Sequence, residues 1–133
     1  MATTLKHLTN GSSGGAGLPC PVPNASTTAQ TIYEVPAATS AQISLITIAF
    51  RLSAVVSGAN AYLMVCHVPS GGAASEANVI KYIDLLTVSS TTLLYTAELG
   101  VGLIMSTGDK LQIKFGASAT VGGGAASAYG VEF

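Results

Sequence analysis

The stretch Asn60-Ala-Tyr-Leu-Met-Val-Cys-His-Val-Pro-Ser-Gly-Gly-Ala-Ala-Ser-Glu-Ala-Asn-Val-Ile-Lys-Tyr82 decides the fold class of this chain. Two apolar runs of strand length flank a break at residues 69–72, Pro-Ser-Gly-Gly. Proline and glycine at neighbouring positions favour a turn and end both runs. Because the break falls near the middle of a strand-rich sequence, we interpret it as the link between two halves of one β-sandwich, passing the chain from one sheet to the other.

Outward from this stretch, short runs rich in Val, Ile, Thr and Tyr alternate with turns rich in Gly, Pro, Ser and Asn. Almost no segment shows the apolar period of an amphipathic helix, although part of residues 79–88 could be helical. About seven or eight short strands at this spacing are typical of a sandwich. We therefore predict an all-β fold, an antiparallel β-sandwich of jelly-roll-like type, with strands at residues 31–35, 40–52, 61–68, 79–88, 91–98, 99–105, 110–115 and 125–133.

Three local patterns make finer predictions. Within residues 40–52 the apolar parity set by Ile43 and Leu45 changes further along the run. This switch predicts either a strand buried on both faces or a β-bulge near its middle. Ser75 is a candidate N-cap for one turn of helix. The glycine-rich residues 120–124 predict a turn before the last strand, and residues 55–60 predict another.

The amino-acid composition limits the classes of function that this chain can have. The chain has 133 residues, enough for one domain with a hydrophobic core, and 49% of them are hydrophobic while only 8% are charged. Soluble domains carry about 25% charged residues, so we expect much of this surface to meet other subunits. A net charge of −1 with no basic patch argues against nucleic-acid binding. The absence of a signal peptide or an apolar span predicts synthesis in the cytoplasm and no membrane partner.

Residues 1–30 form a separate compositional block. They include a Gly/Ser-rich run at residues 11–17 and a Pro-rich run at residues 19–23, and they show no strand or helix period. Such a segment becomes ordered only by lying on another surface. Two interpretations remain open, a disordered tail and an extended N-terminal arm that reaches a neighbouring subunit. We place the domain boundary at residue 30, with the sandwich at 31–133.

Residues with catalytic or metal-binding potential do not form a recognisable site. Cys66 and His67 are adjacent, but neighbouring strand residues point to opposite faces, and a zinc site needs further ligands. We therefore expect Cys66 to be a buried apolar residue and His67 a partly exposed one, and cytoplasmic synthesis disfavours a Cys20–Cys66 disulfide. Asp109 is expected to be a turn residue. The acidic residues are scattered and there is no nucleophile elbow, so we predict that the chain is not an enzyme. We predict no catalytic, cofactor-binding or metal-binding residues.

Four segments resemble motifs of small β-sandwich structural proteins of tailed bacteriophages. Tyr33-Glu-Val-Pro-Ala37 with Thr39 is similar to the opening Y-x-V-P-A-x-T of that family, and Val68-Pro-Ser-Gly-Gly-Ala-Ala-Ser-Glu-Ala-Asn78 is similar to its central V-P-S-G-G-x-A-x-x-A-N. Thr107-Gly-Asp-Lys-Leu111 resembles the late x-G-D-x-L turn. Tyr129-Gly-Val-Glu-Phe133 resembles the ending S-G-V-E-hydrophobic, with Tyr in place of Ser. The resemblance covers about residues 31–133.

This resemblance implies a virion structural protein, made in the host cytoplasm and located in the virion. Because the chain carries the N-terminal arm, we expect a capsid decoration (cement) protein on the capsid surface. Its partners would be the major capsid protein and itself, as a homotrimer by analogy with other decoration proteins. The alternatives are a phage tail, neck or fibre component and, from another class, a carbohydrate-binding β-sandwich. Few aromatic residues argue against the last of these, because sugars stack on exposed aromatic rings.

Overall fold

The computed structural model describes residues 6–10, 20–21, 29–52, 61–85, 94–116 and 121–133. Nearly all of these residues lie in strands, which confirms the all-β prediction. A single short 3₁₀ helix, Glu76–Asn78, is the one helical element among them. The strands are β1 Lys6–His7, β2 Cys20–Pro21, β3 Gln30–Glu34, β4 Ala41–Leu52, β5 Tyr62–Val68, β6 Val79–Asp84, β7 Leu94–Met105, β8 Lys110–Phe115 and β9 Val121–Glu132.

The strands form two antiparallel sheets. The first sheet has the order β1-β9-β4-β7, with β2 also paired to β9, and the second has the order β3-β8-β5-β6. From β3 onward the chain changes sheet at every step except between β5 and β6. This alternation is the jelly-roll topology, in which two sheets are wound from Greek keys and face each other. The predicted antiparallel, jelly-roll-like sandwich is confirmed.

The hydrophobic core lies between the two sheets. Strands β3 to β9 contribute side chains to it, mostly at alternate positions, because successive side chains of a strand point to opposite faces. Burying one large apolar side chain contributes about 1.5–3 kcal/mol, so the core is the main source of stability. Its largest fully buried members are Tyr33, Phe115, Ile32, Ile43, Ile46, Ile48, Leu52, Leu63, Ile83, Leu85, Met105 and Leu111.

Strand β4 contains the irregularity that its apolar parity predicted. Its pairing with both β7 and β9 shifts register between Ile43 and Leu45. Ile43 and Ile46 are both fully buried, whereas Leu45 between them is only partly buried. A β-bulge turns the strand so that side chains of opposite parity reach the core. Of the two alternatives left open by the sequence, the bulge is therefore correct.

The break at residues 69–72 does not connect the two sheets, so that interpretation was wrong. Strands β5 and β6 on either side of it are antiparallel neighbours in the same sheet. The intervening chain folds back over the outer face of β5, where Ala74 packs on Met64, Cys66 and Val68, and Val79 at the start of β6 packs against the same cluster. Because β5 is apolar on both faces, its outer face needs this cover to be removed from water. The strand is therefore buried on both sides.

The predicted turn at residues 120–124 was also wrong, because β9 is continuous from Val121. Its glycines allow β9 to lie close against β4: a Cβ at Gly124 would come within 2.5 Å of the Ala49 carbonyl oxygen. Residues 94–105 form one strand rather than parts of two. The turn predicted at residues 55–60, the predicted strand residues 86–88 and 91–93 with the turn between them, and most of the N-terminal arm lie outside the described residues.

The described residues after β1 join the edges of the two sheets. The Leu8 N–H donates to the Ala128 carbonyl over 2.8 Å, and the Ala128 N–H donates to Thr9 Oγ1 over 2.9 Å. Next, Asn10 Nδ2 donates to the Glu34 carbonyl over 2.9 Å, and the Glu34 N–H donates to Asn10 Oδ1 over 2.8 Å. Leu8 and Thr9 are buried. Residues 6–10 therefore pack as part of the sandwich, although they precede the boundary predicted at residue 30.

Candidate functional site: the loop cluster at one end of the sandwich

Three connections meet at one end of the sandwich, and we call them the loop cluster: residues 35–40, 69–72 and 106–109. The first follows β3, the second follows β5 and the third precedes β8. They meet because β8 lies between β3 and β5 in the second sheet, so the ends of all three strands are adjacent. The contacts within the cluster show what its residues do.

The Asp109 carboxylate holds two of these loops together. Its Oδ2 lies 2.9 Å from His67 Nε2 and accepts a hydrogen bond of 3.0 Å from the Ser106 N–H, while Oδ1 accepts one of 3.1 Å from the Ser70 N–H. The side chains of His67 and Asp109 are 26% and 15% exposed. Both carboxylate oxygens thus accept hydrogen bonds, and Asp109 fixes both the turn that it ends and the loop opposite.

These contacts determine the ionisation of Asp109. Burial by itself raises the pKa of the carboxyl, but hydrogen bonds from His67 and from the Ser106 and Ser70 amides favour the charged form. The bonds outweigh burial, and the pKa of Asp109 lies below its ordinary value. The charged form is therefore the one that the folded loop cluster selects.

A second set of bonds ties the first loop to the third. Thr107 Oγ1 donates to the Thr39 carbonyl over 2.6 Å. The Gly108 N–H donates to the Val35 carbonyl, and the Val35 N–H donates to the Asp109 carbonyl, each over 3.0 Å. Gly108 has φ +84°, and a Cβ there would lie 2.5 Å from Ser70 Oγ. Both the left-handed backbone and the close approach of Ser70 therefore require glycine at this position.

The carboxyl-terminal residues join the same end of the fold. The fully buried Tyr33 donates its hydroxyl hydrogen to Glu132 Oε1 over 2.9 Å. Ser40 and Phe133 exchange two backbone hydrogen bonds of 2.8 and 2.9 Å. Burial raises the pKa of the Tyr33 phenol, and the hydrogen bond and negative charge of Glu132 raise it further. The last strand is thereby anchored beside β3 and the first loop.

All four segments that carry the phage-protein resemblance therefore contribute to this one end. The glycine of the last segment, Gly130, has a structural role as well, since a Cβ there would overlap the Gln42 carbonyl oxygen beside the β4 bulge. The residues of these segments fix turns, a bulge and a buried hydroxyl. What they have in common is a way of closing this end of a sandwich, and their contacts do not form a catalytic constellation.

The placement of Cys66 and His67 follows the strand geometry. His67 is partly exposed and bonded to Asp109, while Cys66 is fully buried on the opposite face, as predicted. Cys66 is a free thiol whose Sγ lies 3.9 Å from the Ser75 carbonyl oxygen, and burial raises its pKa. Asp109 is a turn residue, also as predicted. Within the described ranges, no group of three or more His, Cys, Asp and Glu side chains could hold a metal ion.

Two hydrogen-bonded side-chain pairs were not predicted from the sequence. His67 and Asp109 are 42 residues apart, and Tyr33 and Glu132 are 99 residues apart. No local pattern marks either pair, because each depends on which strands become neighbours. The predicted cap at Ser75 was recognisable, since Ser75 and Asn78 form a capping box around the short helix.

Exposed large apolar side chains lie on the two edge strands β6 and β7, and one more, Phe133, lies at the end of the fold that carries the loop cluster. Tyr82 of β6 is half exposed and meets Tyr62 edge to face, with ring centroids 5.3 Å apart. The Tyr62 hydroxyl donates to Glu76 Oε1 over 2.9 Å. This pair is an aromatic surface that the sequence analysis did not anticipate. The exposed large apolar residues are Ile80, Tyr82, Leu94, Ile104 and Phe133.

No protein-family model matches this chain, and no curated protein and no solved structure matches it either. No helix in the described part of the chain is long and apolar enough to cross a membrane. The described residues define a class of fold, the all-β jelly-roll sandwich. Folds of this class host many functions, so the function must be argued from residues and surfaces.

Proposed function

We propose that this chain is a virion structural protein of the capsid decoration (cement) type. The observation that carries the proposal is the convergence of four separate phage-like segments on one end of the sandwich. Sequence segments that contact one another in space are expected to be retained together, because each is needed to form the others' bonds. Their joint presence therefore supports a relation to the phage proteins better than any one segment does.

Composition and fold are consistent with this role. Only 8% of the residues are charged, and large apolar side chains are exposed on both outer strands β6 and β7. Such a surface favours association with other subunits over a monomeric state in solution. Jelly rolls occur in viral capsid proteins and in lectins, so the fold suits the proposal without selecting it.

The mechanism is mechanical. Subunits associate through uncharged surface, as the homotrimer that we propose, and contact the major capsid protein on the outside of the shell. Residues 11–19 and 22–28 are the parts of the arm that could supply a further contact, since residues 6–10 and strand β2 pair within the sandwich. Many weak contacts repeated over a shell gain avidity that one contact lacks.

The decisive experiment is to locate and count the chain in purified particles of the phage that encodes it. Gold-labelled antibody distributed over the whole head, with a copy number near that of the capsid protein divided by a small integer, is expected. Labelling at a single vertex would instead favour the tail, neck or fibre alternative. Absence from particles would overturn both.

The arm has its own test. Leu18, Pro19 and residues 22–28 are replaced by Gly/Ser sequence of equal length, because residues 11–17 are already Gly/Ser-rich, and residues 6–10 and strand β2 stay in place. We expect weaker attachment to shells with an unchanged melting temperature. Attachment as tight as that of the unaltered chain would remove the arm from the mechanism.

A second candidate function, carbohydrate binding, gains one specific observation from the structure. Tyr62 and Tyr82 form an aromatic surface with Glu76 at its side. Sugars bind on such rings, with a carboxylate accepting their hydroxyl hydrogens. A glycan array in which Tyr82→Ala abolishes a signal would support this function, and an array without signals would dispose of it.

A further inference from the structure

Strand β7 has an unusual position for so long a strand. It has 12 residues and forms one edge of the first sheet, where β4 is its neighbour and no other described strand pairs with it. A strand of this length extends about 40 Å. Sheet edges of this kind offer a row of unpaired backbone groups, and proteins usually protect them with lysine, proline or a bulge. Lysine and proline are both absent from β7, and Glu98 is its one charged residue. Its one irregularity is at Val101 and Gly102, which together stand opposite Ser44 in the pairing with β4.

The side chains of β7 are incompletely covered on both faces. Except for the buried Met105, those that point inward pack against the core but stay partly exposed, whereas inward residues of central strands such as Ile48 are buried. Among the outward residues, Leu94 is 65% exposed and Ile104 is 58% exposed. The open edge thus exposes both backbone and apolar side chains. The partly buried inward residues are Tyr95, Ala97, Leu99, Val101 and Leu103.

The apolar residues of β7 are placed almost symmetrically about Leu99. Reflection about Leu99 pairs large residues at the ends, Leu94 with Ile104 and Tyr95 with Leu103, and pairs Ala97 with Val101, while the remaining pairs differ in size or polarity. An antiparallel strand pair requires directly opposed residues to point to the same face. Any two-fold axis at a residue of the strand satisfies this requirement, so the identities of the opposed side chains decide between registers. The opposed pairs are Leu94 with Ile104, Tyr95 with Leu103, Thr96 with Gly102, Ala97 with Val101 and Glu98 with Gly100.

We infer that β7 pairs with β7 of a second copy of this chain across a two-fold axis at Leu99, joining the first sheets of two subunits into one continuous sheet. Neighbouring registers are worse. An axis at Glu98 opposes two like charges, which is destabilising. An axis at Gly100 sets Leu94 opposite Ser106 and Ile104 opposite Thr96, which leaves both exposed apolar residues beside polar ones.

A depression in the surface fits the same register. It has a volume of about 370 Å³ and lies beside Leu94, at the end of β7 where Ile104 of the second copy would arrive. The exposed surface of its lining is mostly apolar. An apolar side chain entering it would be removed from water together with Leu94. Its lining residues are Ala49, Phe50, Arg51, Leu94, Tyr95 and Thr96.

The inference deepens the proposed structural role, on which it rests, by naming one contact between subunits. It is tested on the purified full-length chain in solution, without capsids, so its failure leaves shell attachment untouched. The measurement is sedimentation velocity at about 10–100 µM, a range in which a weak edge contact is populated. We expect dimers, or dimers of trimers where the proposed homotrimer also forms, and a chain that is monomeric or purely trimeric at these concentrations would overturn the two-fold contact.

Charge substitutions then test the register. Ile104→Lys and Leu94→Glu each place a charge opposite an apolar residue at two equivalent contacts, and we expect each to raise the dimer dissociation constant about 100-fold, tenfold per contact. The double variant, which combines both substitutions, sets the new carboxylate of one copy opposite the new ammonium group of the other, so dimers should return and weaken with salt. Positions 94 and 104 lie about 34 Å apart along one strand, so this rescue can only be intermolecular.

Ile80→Lys is the matched control. It adds the same charge at an exposed apolar residue of β6, the edge of the other sheet. We expect its dissociation constant to equal that of the unaltered chain, and thermal melting of every variant verifies folding. Dimers that persist in Ile104→Lys, dimers lost in Ile80→Lys, or a double variant that stays monomeric would each overturn the proposed contact.

Discussion

Replacing Asp109 should destabilise the loop cluster, and the contacts of Asp109 set the expected loss in the free energy of unfolding. Asp109→Ala removes three hydrogen bonds, from His67 Nε2 and from the Ser70 and Ser106 amides. A hydrogen bond to a charged group contributes about 1.5–3 kcal/mol, but these groups are partly exposed and water replaces some of the loss. We therefore expect a decrease of about 2–4 kcal/mol in the free energy of unfolding. Asp109→Asn keeps one acceptor oxygen and should lose about half as much.

The assay is urea unfolding followed by circular dichroism, with thermal melting as a second measure. For a chain of this size about 1 kcal/mol corresponds to about 3–5 °C, so Asp109→Ala should melt about 10 °C lower. The slope of the unfolding free energy against urea concentration should not change, because unfolding exposes the same surface area in the variant. Glu98→Gln is the control, since it removes one exposed carboxylate from β7 without touching the loop cluster.

The same bonds predict a dependence on pH. The pKa of Asp109 is lower in the folded chain than its ordinary value of 3.8. A carboxyl of this kind contributes stability above its unfolded pKa, and that contribution is lost as pH falls from about 4 through the folded pKa. Asp109→Asn should therefore lose less stability than the unaltered chain on acidification below pH 4. Equal stability at pH 7 together with superimposable acid profiles would refute the role assigned to Asp109.

Three further substitutions test other parts of the fold. Gly130→Ala should destabilise by about 2 kcal/mol or more in urea unfolding, because its Cβ would overlap the Gln42 carbonyl, and unchanged stability would contradict the close approach at the bulge. Tyr33→Phe should cost about 1–2 kcal/mol at pH 7. Because the pKa of Tyr33 is raised in the folded state, its contribution is lost above about pH 10 and the gap to Tyr33→Phe should narrow there. Ser75→Ala should cost about 0.5–1 kcal/mol through the lost cap, and Ser75→Asn, which can still cap, should restore it.

The N-terminal segment illustrates how sequence and structure divide the problem. Composition separated residues 1–30 from the sandwich, yet Leu8 and Thr9 are buried against it. Nothing in the run Leu-Thr-Asn indicates this, because two or three residues carry no period. Their burial depends on the gap between the edge strands β1 and β3, which exists only once both sheets have formed.

Local sequence determined what depends on neighbouring residues. The alternation along β8, the parity switch that marks the β4 bulge and the cap at Ser75 all act over a few residues, where side-chain direction follows backbone geometry. Tertiary structure alone decided which strands pair: it returned the chain after residues 69–72 to the same sheet, brought His67 to Asp109 and Tyr33 to Glu132, and left β7 on an edge. Such choices are made over about 40–100 residues by the packing of the whole core, and no local period encodes them.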